Sequence, residues 1–259
     1  MSKITERILG VIIFCVVLVF FVWLQLHGGQ MSNRTGGLVG LYHFNEGTGA
    51  DAADSSGNGN HLAITGATWV DGIYRKCLYF FQGDGVDSAK IADNASMVWG
   101  TKLTVAAWAK CTNASGARCL VNKDNNQSGR EFEFGRDYTG SGITFELYTN
   151  ISAHVLVISG LPQADMFRWH RFVMVYDAAL GYYVAYRDGK EIGRKAASGT
   201  VNNGTGFLLI GATEYPAGTV YNAYANVYID EVAVLANTAW TPGQVARDYV
   251  DGVGRHLDD

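Results

Sequence analysis

The sequence is poor in proline, in charged residues and in basic stretches, and each scarcity narrows the class of protein. Only 3 of the 259 residues are Pro, against 32 Gly, a balance typical of many strands joined by tight turns. Charged residues make up 17%, the formal net charge is -4 and no basic stripe is present, which argues against nucleic acid as a partner. Hydrophobic residues make up 48%, enough for a sizeable core and too many for wholesale disorder.

Motifs that mark catalytic centres are also missing. The His residues show no H-E-x-x-H or similar ligand spacing, and neither a nucleophile motif nor a phosphate-binding loop is present. One acidic pattern remains: Glu131 and Glu133 share a strand face, as do Glu146 and Tyr148 in the next strand. Alternate strand residues lie about 6.6 Å apart, close to the 5–5.5 Å that retaining glycosidases use. We interpret the pattern as a solvated acidic sheet face, and predict no catalytic residue and no required cofactor.

Long apolar runs are absent except at the N-terminus. The stretch from Ile8 to Leu24 carries no charge, and its length is close to the ~20 residues of a membrane-spanning helix. Neither a small-x-small cleavage site nor a lipid-attachment Cys follows it. An uncleaved anchor, a cleaved signal peptide and a pilin-like leader cut after Gly10 stay open. Each exports the rest of the chain, so we expect a cell-surface or extracellular protein.

The remaining organisation is simple. We divide the chain into a hydrophobic anchor or assembly segment (1–26), a Gly-rich linker (27–37) and one domain (38–259). Within that domain the apolar period is two, as in Leu103, Val105 and Ala107. A DG pair at 188–189 predicts a hairpin, and Thr-Pro-Gly-Gln at 241–244 predicts the start of a helix. The pattern predicts an all-β jelly-roll sandwich of two antiparallel sheets with one short C-terminal helix.

Five segments resemble, in order, the laminin-G-like domains of the concanavalin A-like lectin/glucanase superfamily. They are residues 37–85, LTVAAWAK (103–110), WHRFVMVYD (169–177), YRDGKEIG (186–193) and the closing stretch 228–252. The resemblance implies a jelly roll of two curved antiparallel sheets, and it leaves glycan binding, adhesion and structural roles open. The family's glucanases carry Glu-x-Asp-x-x-Glu on one strand. Here Arg136 takes the place of the last Glu, a departure that argues against hydrolysis.

The stretch AADSSGNGNHLA, residues 52–63, is too polar to bury much side-chain surface. Asp230 shares the parity of Val232 and Val234, and a carboxylate on an apolar face needs backbone N–H groups or a cation. We therefore predict that the 54–60 loop packs against Asp230. Either the loop is a plain turn whose polar side chains satisfy the backbone, or it holds a structural calcium. The candidate calcium ligands are Asp54, Asn58, Asn60 and Asp230.

Several residues are candidates for modification in an exported protein. Six N-x-[ST] triplets are predicted glycosylation sites: Asn33, Asn94, Asn113, Asn126, Asn150 and Asn203. Cys111 and Cys119 bracket a predicted loop between two strands. A bridge between them would suit an exported domain, and two reduced thiols are the alternative.

Three function classes follow from these patterns. We favour a non-enzymatic subunit of a cell-surface filament or coat, which self-associates through the N-terminal segment. The second class is a membrane-tethered carbohydrate-binding or adhesion module, and the third is a glycoside hydrolase. Exposed aromatic side chains would serve glycan binding because sugars stack on aromatic faces, and the candidates are Tyr182, Tyr183, Tyr215, Tyr221 and Tyr224. Ordinary strand packing, which Tyr favours, is the alternative for these residues.

Overall fold

The computed structural model describes residues 37–81, 86–112, 119–123, 129–136, 142–162, 164–214, 219–221 and 226–257. Several predictions fall outside these residues, namely those on 1–36, which include Asn33, and those on Asn113, Asn126, Tyr215 and Tyr224. The part of the chain that begins at Gly37 forms one contact unit. In the described ranges, no helix combines the length and the apolar character needed to cross a membrane.

Eighteen strands are described in chain order. They are β1 (Leu38–Tyr42), β2 (Asp51–Ala52), β3 (Leu62–Thr65), β4 (Thr68–Asp71), β5 (Lys76–Phe80), β6 (Ser88–Ile91), β7 (Lys102–Cys111), β8 (Val121–Lys123), β9 (Phe132–Arg136), β10 (Gly142–Tyr148), β11 (Ala153–Ser159), β12 (His170–Asp177), β13 (Tyr182–Arg187), β14 (Lys190–Ala196), β15 (Leu208–Ile210), β16 (Thr213–Glu214), β17 (Val220–Tyr221) and β18 (Val227–Ala236). Short 3₁₀ turns span Asp165–Phe167 and Ala178–Leu180, and one helix, α1 (Pro242–Leu257), follows the last strand.

The strands form two large antiparallel sheets. Sheet A has the order β14-β13-β12-β7-β18-β5-β4, and β1 pairs with the second half of β18. Sheet B has the order β11-β10-β9-β8-β15-β6-β3-β2, while β16 and β17 pair separately. This arrangement confirms the predicted all-β sandwich with one C-terminal helix.

The main core lies between the inner faces of the two sheets. Leu103 and Val105 of β7 belong to the same buried cluster as Phe145 and Leu147 of β10. Because side chains alternate between the two faces of a strand, the period-two pattern delivers these residues to the core. The sandwich therefore follows directly from that pattern.

A second cluster lies on the outer face of sheet A, where α1 covers it. Trp240 and Val245 pack there against β-strand residues such as Ala106. The helix begins with the predicted capping box: the Thr241 N–H donates to Gln244 Oε1 (2.8 Å), and the Gln244 N–H donates to Thr241 Oγ1 (3.3 Å). The part of the outer face that packs against α1 is therefore apolar, as the inner face is.

A bulge in β18 changes the side-chain parity predicted for that strand. Asp230 pairs with Trp108, but the next pair advances three residues along β18 for two along β7. Glu231 sits in the bulge with φ +48°. Asp230 therefore lies on the outer face with Trp108, whereas Val232 and Val234 belong to the inner core. The predicted shared parity is wrong because an extra residue intervenes.

Candidate functional site

The carboxylate of Asp54 organises the polar loop after β2. Its oxygens accept hydrogen bonds from the backbone N–H groups of Leu41 (3.0 Å), Ser56 (2.8 Å) and Asn60 (2.9 Å), and from the Ser56 hydroxyl (2.7 Å). Burial acts to raise the pKa of Asp54, but these hydrogen bonds outweigh it, so the pKa is lowered. The ionised carboxylate thus connects the loop to β1 by hydrogen bonds.

Two amide side chains of the loop also form hydrogen bonds to β1. Asn58 Nδ2 donates to the carbonyl oxygen of Leu38 (2.6 Å), and Asn60 Nδ2 donates to that of Val39 (2.7 Å). The loop side chains therefore satisfy backbone groups of a neighbouring strand, as expected for the plain turn.

Asp230 is held by a different turn. Its carboxylate accepts from the backbone N–H groups of Ile73 (3.1 Å), Tyr74 (3.3 Å) and Glu231 (2.9 Å), and burial raises its pKa to about 8. The prediction that a neighbouring loop supplies backbone donors is confirmed, but the prediction that this loop is 54–60 is wrong. The turn between β4 and β5 supplies them because the bulge points Asp230 outward.

The four candidate calcium ligands accordingly divide into two groups. Asp54, Asn58 and Asn60 belong to one hydrogen-bonded loop, whereas Asp230 lies beneath the turn at Ile73. In the part of the chain that the structure describes, no three His, Cys, Asp or Glu side chains group closely enough to hold a metal. Calcium binding stays a prediction, and the structure does not bring the four candidate ligands together in one site.

The EFE pattern is buried, and its two carboxylates have different partners. Glu131 accepts from Trp99 Nε1 (2.8 Å) and lies 2.9 Å from Lys123 Nζ, whereas Glu133 accepts from Asn122 Nδ2 (3.1 Å). Both side chains belong to residues only 1% exposed. The predicted solvated acidic face is therefore wrong here, because both carboxylates are buried, Glu131 beside the Lys123 ammonium and Glu133 beside the Asn122 amide.

Glu133 instead lies opposite a carboxylate of the next strand. It pairs with Glu146 in the β9–β10 register, on the outer face of sheet B. Glu146 accepts from the Tyr148 hydroxyl and from Arg130 Nη2 (3.4 Å), and the Arg130 guanidinium lies 4.1 Å from the Tyr148 ring centroid. Glu146 is also buried, so both carboxylates form hydrogen bonds with protein groups and are not exposed to solvent.

The described modification candidates have different surroundings. Asn94 donates through Nδ2 to Asn60 Oδ1 (2.9 Å), and Asn203 donates to the carbonyl oxygen of Trp99 (3.2 Å). Asn150 is exposed and accepts from the Thr200 N–H (2.8 Å). Cys111 ends β7 and Cys119 precedes β8, both buried, and their bridge stays a prediction.

A cleft of about 190 Å³ opens on the outer face of sheet A beside the start of α1. It is lined by Val175, Asp177, Leu180, Tyr182, Val184, Tyr186, Glu191, Arg194, Ala239, Trp240, Thr241 and Pro242. Strands β12, β13 and β14 form its floor, and residues 239–242 form one wall. The predicted Tyr182 is there, and the sequence analysis missed Tyr186 and Trp240. Tyrosines at 182 and 186, on one face of a predicted hairpin strand, were the signal that could have found it.

Tyr183 does not share that surface. Its side chain is fully buried, and its hydroxyl donates to the carbonyl oxygens of Phe145 (2.9 Å) and His154 (3.1 Å). The prediction of Tyr183 as a glycan-stacking residue is therefore wrong, because alternation along β13 turns it into the core. The side chain of Tyr221 falls outside the description.

Two charged side chains, Glu191 and Arg194, lie at the edge of the cleft. Arg194 donates two hydrogen bonds to Glu191 (both 2.6 Å), and its guanidinium lies 4.6 Å from the Tyr182 ring centroid. The hydrogen bonds from Arg194 lower the pKa of Glu191. Trp240 is 6% exposed, and its indole N–H has no hydrogen-bond partner among the described residues. The cleft thus combines the partly exposed Tyr182 ring with the fixed charges of Glu191 and Arg194.

Comparison with known proteins identifies similar folds. A family model described as concanavalin A-like lectin/glucanases superfamily matches residues 83–246, more than half of the chain. No curated protein matches the sequence significantly.

Among solved structures, the binding domain of Paraclostridial Mosquitocidal Protein 1 has a TM-score of 0.64 at 15% identity, over 82% of this chain and 52% of that one. A structure concerning botulinum neurotoxin type C, whose cell entry is described as dependent on two ganglioside molecules, has a TM-score of 0.64 at 11% identity, over 86% and 53%. Domain 4 of AbnA, a GH43 extracellular arabinanase from Geobacillus stearothermophilus in complex with arabinotriose, has a TM-score of 0.57 at 17% identity, over 81% and 97%. This chain spans about half the length of the toxin chains.

Proposed function

Because this chain belongs to the concanavalin A-like lectin/glucanases superfamily, we propose that its sandwich is a non-catalytic glycan-binding module. Two fold neighbours support the ligand class, since one is a domain in complex with arabinotriose and the other concerns a toxin whose cell entry depends on gangliosides. At identities of 17% and 11% these structures show a shared fold and not a shared site, so the proposal depends on a site in this chain.

The single observation that carries the proposal is the composition of the cleft. Tyr182, which is partly exposed, offers aromatic surface on which the C–H face of a sugar ring packs, and the nearly buried Tyr186 and Trp240 line the cleft beside it. The Glu191–Arg194 pair offers acceptors and donors for hydroxyl groups, as expected of a small pocket with few polar groups that fix orientation. At about 190 Å³ the cleft suits a ligand group the size of one sugar ring.

The charges in the cleft favour binding over hydrolysis. A glycosidase needs a general acid whose pKa is raised, whereas Arg194 lowers the pKa of Glu191 and keeps it ionised. The other carboxylate of the cleft, Asp177, accepts from the Ala179 N–H (3.0 Å) and lies 3.3 Å from Lys102 Nζ. We therefore expect ligand release without bond cleavage.

A glycan array followed by titration calorimetry with the best array glycan tests this function. We expect Tyr182→Ala and Arg194→Ala to weaken binding at least about tenfold, which corresponds to about 1.4 kcal/mol. Lys195→Ala is the matched control, since Lys195 is exposed on the same strand but outside the cleft lining. Absence of any array signal, equal binding by all three variants, or turnover of the glycan would overturn the proposal.

The sequence supports a second role, which is assembly. The sequence from Ile8 to Leu24 carries no charge, and exposing so many apolar residues to water is unfavourable, so we propose that full-length chains self-associate through this segment at the cell surface. Val17→Lys or Phe20→Lys is expected to block assembly while the sandwich still melts cooperatively. Light scattering that shows a monodisperse full-length monomer without detergent would contradict this role.

A further inference from the structure

A second group of aromatic side chains lies on the outer face of sheet A, away from the cleft. In the register, Tyr228 of β18 pairs with Tyr79 of β5 on one side and with Lys110 of β7 on the other. Trp169 immediately precedes β12, whose first residue pairs with the neighbour of Lys110. These four side chains, which we name the aromatic row, therefore extend across β5, β18 and β7 to the start of β12.

The members of the aromatic row contact one another. The ring centroids of Tyr79 and Tyr228 are 4.6 Å apart, and those of Trp169 and Tyr228 are 6.3 Å apart. All four side chains are partly exposed, and Phe81, which is 41% exposed, extends the surface beyond Tyr79. The row thus presents ring surface to solvent without a covering element among the described residues.

The lysine of the row is held by rings rather than by carboxylates. Lys110 Nζ lies 4.4 Å from the Tyr228 centroid and 5.3 Å from the Trp169 centroid. In the described residues it has no carboxylate within ion-pair distance, whereas Lys76 pairs with Asp71 and Lys102 with Asp177. Cation–π contact positions the ammonium, but no acceptor among the described residues takes its N–H groups, so an anionic ligand group would complete the site.

The row and its lysine together constrain the ligand. Ring surface favours a flat partner with C–H groups, and the ammonium favours a carboxylate near that partner. An uncharged surface that covered the row would bury the Lys110 charge without compensation, which is costly. We propose that the aromatic row is a second glycan-binding site, independent of the cleft, and that it takes an acidic sugar such as a uronic acid residue, whose ring stacks on Tyr228 and Trp169 while its carboxylate binds Lys110.

Two trisaccharides of equal size separate charge from ring stacking. Trigalacturonic acid and its fully methyl-esterified form have the same sugar rings, but only the acid carries carboxylates. We expect calorimetry with the folded chain to give at least tenfold tighter binding of the acid at low salt, with the difference shrinking as salt rises. Equal affinity for the acid and the ester would overturn the proposal.

Variants then locate the site. Lys110→Met removes the charge and keeps the stem, and Trp169→Ala removes one ring, so each is expected to weaken binding of the acid at least tenfold. Lys90→Met is the matched control, because Lys90 also lies over an aromatic ring (4.8 Å from the Phe207 centroid) but on sheet B. Circular dichroism and melting curves confirm that each variant is folded.

The failures of the two proposals are distinguishable. If Tyr182→Ala abolishes binding of trigalacturonic acid and Lys110→Met does not, the cleft is the acidic-sugar site and the row is not. If Lys110→Met lowers binding to phosphatidylserine vesicles while the free acid does not bind, the row recognises a lipid surface and the proposal is wrong. Loss of acid binding in Lys110→Met, with neutral glycan binding at the cleft unchanged, supports it.

Discussion

Replacing Asp230 by alanine tests how the bulge of β18 is stabilised. The change removes an acceptor from three backbone N–H groups, those of Ile73, Tyr74 and Glu231. An orphaned buried donor costs about 1–3 kcal/mol, but two of the three bonds share one oxygen at 3.1 and 3.3 Å. Alanine also relieves the cost of burying the carboxylate, so we expect a net loss of about 1–3 kcal/mol. For a domain of this size the melting temperature should fall about 2–4 °C per kcal/mol.

The pH dependence of Asp230 sharpens the test. Burial raises its folded-state pKa to about 8, well above the unfolded value of 3.8, so the folded state binds the extra proton between these values. Stability contributed by this group is therefore present at low pH and is lost as pH rises toward 8. Asp230→Asn resembles the protonated acid, and its stability relative to wild type should improve from pH 5 to pH 9 in urea unfolding. An unchanged melting temperature for Asp230→Ala, or a pH-independent difference for Asp230→Asn, would refute the reasoning.

Three further outcomes follow from other contacts. Asp54→Ala should cost about 1–3 kcal/mol in urea unfolding, because it orphans three backbone N–H groups, and the wild-type contribution should vanish as pH falls through the lowered pKa. In a host with N-glycosylation, peptide mapping should find a glycan on the exposed Asn150 and none on Asn94, whose amide is engaged. Burial lowers the pKa of His170 but the Asp188 bond outweighs it, so the raised pKa gives stability below about pH 6.5 that is lost at higher pH; His170→Gln should flatten that slope.

The sandwich, its hairpin and its helix start could be predicted because each depends on neighbours in sequence. Side-chain alternation sends Leu103 and Val105 inward whatever the partner strand, and the Asp188–Gly189 turn is read from two residues. The Thr241–Gln244 capping box closes within one turn of helix. Local physics decides these features, so one sequence suffices for them.

The candidate site depends instead on register and on one irregularity. The bulge at Glu231 changes which residues of β18 face the core. No residue type near the bulge indicates the extra residue in the sequence. The aromatic row draws Tyr79 and Tyr228 together from positions 149 residues apart, through strand pairing alone. Tyr182 was one of the aromatic candidates named from the sequence, whereas the cleft wall at Trp240 comes from beyond the last strand. Long-range pairing is what the sequence pattern leaves undetermined.

Glu131, one carboxylate of the EFE pattern, has a structural partner in Lys123. The fully buried Lys123 Nζ lies 2.9 Å from carboxylate oxygens of Glu131 and Asp93, and it donates to the carbonyl oxygen of Gly206 (2.9 Å). Lys123→Met leaves the Glu131 carboxylate buried without its counter-charge, which should cost about 3–5 kcal/mol at pH 8.

Glu131 makes the effect of this substitution depend on pH, and the neighbouring Trp99 reports on it by fluorescence. Burial raises the pKa of Glu131 to about 7, and the Lys123 charge opposes that rise, so Lys123→Met should be less destabilising at pH 5, where Glu131 is protonated. The double variant Lys123→Met/Glu131→Gln removes both charges and should recover part of the loss. Trp99, whose Nε1 donates to Glu131 (2.8 Å), makes fluorescence-detected urea unfolding a local readout. A single variant as stable as wild type at pH 8, or a double variant no more stable than the single one, would show that this ion pair does not stabilise the fold.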